Sequence, residues 1–249
     1  MRRVWLVLGW MVVAHAAPVM GQGPVRGARQ LLVVTTPGWD AVEGTLQRYQ
    51  RGSQGEPWRR VGAPVAIVVG KTGLAWGIGV PVAAVDGLRV AGDPVKKEGE
   101  GRSPAGVFRL GTAFGVAEQP LEGLTLGYVP LTPTVECVDD GASHSYNRLV
   151  DRAKLAVDWT SSEKMRETQP YYQWGLVIEH NWERPQVGGG SCIFLHVWGK
   201  PGEGTVGCTA MAEPELETVL RWIDPTRRPL LVQLPMGEYE RVRGRLGLR

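Results

Sequence analysis

A mainly β fold with a few helices, of the α+β kind, is what this sequence predicts, and three observations predict it. Thirty-four glycines and eighteen prolines in 249 residues point to many turns. The apolar residues fall in short runs rich in Val, Ile and Leu, the signature of buried strands. Only one segment, Pro214 to Ile223, carries a clear helical repeat.

Each element follows in chain order. Leu31 to Thr36 reads as a strand, Gly38 as a turn, and Gly44 to Gln50 as a second strand closed by the loop Gly52 to Pro57. Val61 to Gly70 is a β-branched run, and Leu74 to Val80, carrying Trp76, is expected to pair with it as a hairpin. Gly99 to Gly106 is read as a loop, followed by strands at Phe108 to Phe114 and Gly127 to Leu131. Ser143 to Lys154, capped by Ser143, and Ser161 to Gln169 are helix candidates. Strands are expected at Leu176 to His180, Cys192 to Val197 and Leu230 to Leu234. In Pro214 to Ile223, Glu213, Glu215 and Glu217 suit the start of a helix dipole, and Leu216, Leu220 and Ile223 share one face. No repeat or heptad pattern interrupts the chain, so residues 31–240 are expected to form a single domain.

The ends read differently. Arg2 and Arg3, the apolar run Val4 to Ala14 and the small residues Ala14, Ala16 and Ala17 have the order of a secretory signal over residues 1–21, too short in its apolar part to span a bilayer. Residues 22–30 are expected to be a flexible lead and residues 241–249 a solvated basic tail. The formal charge of +3 falls to +1 once Arg2 and Arg3 are removed, which argues against a nucleic-acid binder. An exported protein of the periplasm or cell envelope is the expectation. Its three cysteines, Cys137, Cys192 and Cys208, suggest one disulfide and one free thiol, without saying which is free.

The chemistry concentrates in Gly190-Ser-Cys-Ile-Phe-Leu-His196-Val-Trp198 and Thr205-Val-Gly-Cys208-Thr-Ala-Met211. A thiol becomes a nucleophile when an imidazole takes its proton. His196 ends an apolar strand; Cys208 follows 12 positions later across a glycine-rich connection. Gly207 permits close approach of a reacting carbonyl, and the amides around it can face an oxyanion. By themselves a lone Cys and a lone His are more often packing residues.

The strand-end His followed by Thr205-Val-Gly-Cys208 resembles the signature of the L,D-transpeptidase (YkuD-like) family, and the stretch Lys97-Glu-Gly-Glu-Gly-Arg-Ser103-Pro104-Ala-Gly106-Val-Phe108 resembles that family's upstream segment. The resemblance covers roughly residues 60–235 and implies a mixed β-sandwich carrying a His/Cys cleft. It implies Cys208 as nucleophile, His196 as base and then acid, Gly207 with the Cys208 amide as oxyanion site, and Thr205 as a brace or substrate contact. It needs no cofactor. Ser103, Pro104 and Gly106 are read as shaping the fold. With Cys208 assigned as the free thiol, Cys137 and Cys192 become the disulfide candidate.

Two departures bear on substrate. The Arg that many members carry two positions after the Cys is Ala210 here, so its substrate-carboxylate or loop-anchoring role is either absent or supplied elsewhere, with Lys200 and Arg221 as candidates, and the His-to-Cys loop is short. Asp139, Asp140, Tyr146 and Asn147 either line the cleft or form a cap with solvated acids; Trp198 is the aromatic expected at the cleft rim, while Trp159, Trp174 and Trp182 are expected mostly in the core. The family implies acyl transfer on peptidoglycan stem peptides: a thioester on Cys208, loss of a D-amino acid, then attack by an amine, or by water in an L,D-carboxypeptidase. A non-catalytic wall-binding module is the contrasting reading.

Three other motifs fail. Val65 to Thr72 lacks the first glycine of a phosphate loop, Gly189 to Ile193 lacks the closing glycine of a nucleophile elbow, and the four histidines have no metal-ligand spacing. The His-then-Cys order weighs against a papain-like protease.

Overall fold

A computed structural model describes residue 25 and residues 27–248. The strands are β1 Gln30–Thr36, β2 Glu43–Gln50, β3 Arg59–Val68, β4 Leu74–Trp76, β5 Ser103–Gly115, β6 Tyr128–Pro130 and β7 Val135–Val138. They continue as β8 Arg148–Asp151, β9 Ser162–Lys164, β10 Trp174–Ile178, β11 Phe194–Val197, β12 Thr209–Met211 and β13 Leu230–Pro235. The helices are α1 Ala83–Asp86, α2 Glu213–Trp222 and α3 Met236–Val242. The chain is thus mainly β with few helices.

The large sheet runs β10-β11-β12-β3-β2-β1-β13-β5, and β5 pairs back onto β10. Eight strands therefore close a barrel, where the expectation was a sandwich of two sheets; closure leaves these strands no free edge. β1 is buried along its whole length: β2 and β13 flank it and α3 packs against it, which is why Leu31–Val34 is apolar at every position rather than alternating. Helix α2 begins with Pro214 in its first turn and places Leu216, Val219 and Leu220 in the barrel's core.

A second sheet, β8-β7-β9, carries its own apolar cluster, which includes Phe114, Val177 and Phe194 from the barrel strands. Leu195 and Val197 belong to the main core while Phe194 belongs to this second one, as the two-residue alternation of a strand requires. β11 therefore shows one face to the barrel interior and the other to the small sheet.

Several expectations are corrected here. Leu74–Trp76 pairs in parallel with Ser103–Ala105, not as a hairpin with β3. The strand β5 begins at Ser103, inside the segment read as a loop; Gly106 lies in it at φ +145°, a conformation only glycine takes easily. Ser143–Lys154 is not a helix: Asp140 accepts from the Ala142 N–H and Asp158 from the Ser143 hydroxyl and the His144 N–H. These side chains bind local backbone in place of a helix ladder, Asn147 turns the chain at φ 58°, and β8 follows. Ser161–Gln169 gives β9 and a short 3-10 turn instead of a helix, because Ser162–Lys164 pairs with β7.

The signal segment lies outside the described residues. In the supposed flexible lead, Val25 and Ala28 are buried and the Arg51 guanidinium donates to both carbonyls. The supposed basic tail holds the end of α3 and the turns after it: Leu246 and Leu248 are buried and the Trp58 indole N–H donates to the Leu246 carbonyl. No described helix is long and apolar enough to cross a membrane.

The most loaded structural group is Glu136 on β7. It is 1% exposed and accepts from Lys164, Arg152, Trp159 and Ser162. Burial pushes its carboxyl up, but the four donors outweigh burial and hold it down at about 2. A depressed carboxylate contributes stability that is complete above its unfolded value and vanishes as pH falls toward the folded one. The wild type is expected to exceed Glu136→Gln by about 3 kcal/mol at pH 6, with the gap closing as pH falls from 4.5 toward 2. Urea unfolding of both proteins across that range checks it.

Candidate active site

Parallel pairing of β11 with β12 sets Leu195 beside Thr209 and His196 beside Ala210. Cys208 immediately precedes β12 and so lies level with Phe194, whose N–H donates to its Sγ at 3.3 Å. Cys208 and His196 thus share the outward face of the barrel wall, and both line one cavity of about 800 Å³ between that wall and the small sheet.

The expected disulfide is present: Cys137 on β7 is bonded to Cys192, and Cys208 is the free cysteine among the described residues. Cys192 stands at φ 54°, and its N–H donates to the Asn147 side-chain oxygen at 2.9 Å. Its carbonyl accepts the Cys208 thiol at 3.5 Å. The disulfide and Asn147 together position the carbonyl that orients the thiol.

The imidazole of His196 is buried and donates through Nδ1 to the Val197 carbonyl at 2.7 Å, leaving Nε2 as the acceptor nitrogen. Burial holds this ring down at about 4, against the pull of the Val197 carbonyl. Burial also pushes the Cys208 thiol up, aided by the charge of Glu163 and opposed by the Phe194 N–H and Lys96. The resting pair is therefore neutral thiol and neutral imidazole. No hydrogen bond joins them; the thiol donates to the Cys192 carbonyl, so passing its proton to the ring would require the thiol to rotate toward Nε2.

The turn before Cys208 is held by two hydroxyls. Thr205 Oγ1 accepts from the Gly207 N–H and donates to the Cys208 carbonyl, and Ser103 Oγ donates to the same carbonyl at 2.7 Å. Ser103 in turn accepts from the Gly70 N–H, so the upstream segment braces the turn directly. The Gly207 N–H, expected at the oxyanion site, is engaged by Thr205. The Cys208 N–H bonds to no group among the described residues and is the amide free to face an oxyanion. A side chain on Gly207 would start 3.9 Å from the Lys96 ammonium and 3.3 Å from the Arg102 carbonyl, so glycine keeps this approach open.

The cavity contains Thr205, Trp198 and Asp139 of the expected substrate-binding residues. The others lie elsewhere. Lys200 is exposed in the turn beyond Trp198, and Arg221 on α2 is engaged by Glu217 and the Glu122 carbonyl. Asp140 secures Thr160 and Ala142. Tyr146 is buried and donates to Glu98, and Asn147 is fully committed to the Cys192, His180 and Asn181 backbone.

Residues that the sequence did not single out complete the lining. Lys96 is buried and bonded to Glu100 and the Lys97 carbonyl; it is the cation at the cavity that Lys200 and Arg221 do not supply. Glu163 of β9 accepts from the Tyr172 hydroxyl at 2.6 Å, and Tyr172 packs edge-to-face on His196 with ring centroids 5.5 Å apart. No group of three or more metal-ligating side chains occurs among the described residues. No family model matches this chain, and neither a curated protein nor a solved structure matches it.

Proposed function

We propose that this chain is a cysteine acyltransferase of the L,D-transpeptidase type, acting on peptidoglycan stem peptides in the cell envelope. The observation that carries the reading is the free Cys208 lining one cavity with His196, whose Nε2 is left unengaged by the Val197 hydrogen bond. In the proposed cycle the Cys208 thiol attacks the carbonyl of an L,D peptide bond as its proton passes to His196. The Cys208 N–H meets the developing oxyanion, and Lys96 adds positive charge beside it. His196 then protonates the leaving D-amino acid, and a thioester remains on Cys208. An amine or water attacks that thioester, with His196 again taking a proton.

The cavity supports a peptide rather than a compact substrate. Its volume of about 800 Å³ lies in the upper part of the range for ligand sites, and Lys96, Glu98, Asp139 and Glu163 all line it. Peptide stems carry both carboxylates and amines that such a wall can pair with.

Incubation with a defined tetrapeptide stem as donor and a tripeptide stem as acceptor, followed by product masses, tests the reading. Crosslinked dimers identify a transpeptidase and trimmed monomers a carboxypeptidase. Unchanged stems, together with binding to purified wall material, identify the non-catalytic module and contradict the proposal.

A further inference from the structure

We propose that Glu163 is the acceptor base of this site: its carboxylate takes the extra proton from the ammonium form of an incoming amine and so delivers a free amine to the thioester on Cys208. This rests on the acyl-transfer reading above and decides within it for an amine acceptor.

The contrast with Glu136 makes the case. Both carboxylates belong to the small sheet, Glu136 on β7 and Glu163 on the neighbouring β9. Glu136 faces four donors, which saturate it as a structural group. Glu163 receives one hydrogen bond, from Tyr172 to Oε2, and opens on the cavity that holds Cys208 and His196. Its Oε1 is therefore the carboxylate oxygen available to a ligand. Tyr172 fixes the group: its ring packs on His196 at 5.5 Å and on Phe194 at 5.6 Å, so the base is held against the β11 strand that carries the imidazole and whose Phe194 N–H meets the thiol.

The charged groups around Glu163 favour a cation at this wall. Asp139 and Glu98 face the same cavity, and Asp139 Oδ1 is buried without a hydrogen-bond partner. Lys96 lies toward Gly207 and is already paired with Glu100. Burial, with Asp139 and Glu98 adding to it and Tyr172 opposing, lifts the Glu163 carboxyl to about 7, a base strength suited to neutral pH.

The chemistry requires such a group only for an amine. An aliphatic amine reaches a neutral site as an ammonium ion and carries one proton too many. Glu163 carboxylate accepts that proton and becomes the acid. The free amine then attacks: its nitrogen–carbon bond forms, the carbon–sulfur bond breaks, and the second proton passes through His196 to the Cys208 sulfur. Water arrives neutral and needs His196 alone.

The test uses the full chain, a tetrapeptide stem as donor and a tripeptide stem as acceptor, and reads amine transfer against hydrolysis and against thioester formation on Cys208. Glu163→Gln is expected to lower the transfer-to-hydrolysis ratio about 100-fold at pH 7. The deficit should close as pH approaches about 10, where solvent supplies free amine. Tyr172→Phe is expected to move the wild-type transfer profile to higher pH, because the lost hydrogen bond had held Glu163 down; this second variant carries the test if Glu163→Gln does not fold. A ratio in Glu163→Gln within about threefold of wild type at pH 7, or an unmoved profile in Tyr172→Phe, overturns the role of Glu163 alone. Failure of the wild type to form any thioester overturns the acyl-transfer reading itself, and this inference with it.

Discussion

Cys208→Ala is expected to lose turnover by roughly 10⁴-fold or more while remaining folded. The sulfur is the covalent centre of the proposed cycle, and Cys137 and Cys192 are joined to each other, so neither of them can substitute. The structural cost is small by comparison. Sγ makes two sulfur hydrogen bonds, to the Phe194 N–H and the Cys192 carbonyl, and losing them costs on the order of 1 kcal/mol. The Cys208 carbonyl, which anchors the turn through Ser103 and Thr205, is backbone and survives the substitution. Thermal unfolding alongside a product assay separates the two effects: an inactive protein with a nearly unchanged melting temperature is the expected result.

His196→Gln is expected to slow thioester formation by about 10²- to 10⁴-fold. Glutamine retains a side-chain amide for the Val197 carbonyl but offers no basic nitrogen to the thiol. The pH dependence gives the signature. The wild-type imidazole, held at about 4 by burial, is neutral and able to accept a proton at any pH above that, so its rate should be flat from about pH 5 through neutrality and fall in acid. The Gln variant has no base, and its Cys208 thiol is pushed up by burial. Its residual rate should therefore climb with pH as hydroxide supplies the thiolate, and the two profiles converge in alkali. Single-turnover measurements of Cys208 acylation from pH 4 to 10 check both shapes, a range chosen from the two groups' ordinary and shifted values.

Parts of this molecule could be read from sequence because their pattern is local. Leu31 to Thr36 and Val61 to Val68 are runs whose β-branched content dictates strands, and Pro214 to Ile223 repeats its apolar residues at helical spacing. His196 and Cys208 were singled out by the resemblance of the His196 strand end and Thr205-Val-Gly-Cys208 to a family signature, since by themselves a lone His and a lone Cys read as packing residues. Partners across the fold were not legible. Val135–Val138 contains Glu136, which looks solvated until Lys164, Arg152, Trp159 and Ser162 arrive from elsewhere in the small sheet.

Long-range partners also decided the segments whose local pattern misled. Leu74–Trp76 follows β3 closely, yet its hydrogen-bonding partner is Ser103–Ala105, and only closure of the barrel dictates that choice. Ser143 to Lys154 has the residues of a helix cap, but Asp140 and Asp158 satisfy the backbone amides there first. Lys96 stands among charged neighbours in sequence and reads as solvated, though it is buried beside Gly207. Glu163 carries no local mark at all. Its meaning comes from Tyr172, nine residues on, and from the barrel wall that Tyr172 packs against.

We propose one thiol, served by one imidazole in one cavity, as the chain's acylating centre. A carbapenem, a β-lactam that acylates members of the resembled family, tests it most directly through the intact mass of the protein and peptide mapping of the adduct. One covalent adduct is expected on the peptide containing Cys208, formed by the wild type, far slower in His196→Gln and absent in Cys208→Ala. An adduct on any other residue, or acylation as fast without His196 as with it, would rule out this pair as the acylating centre.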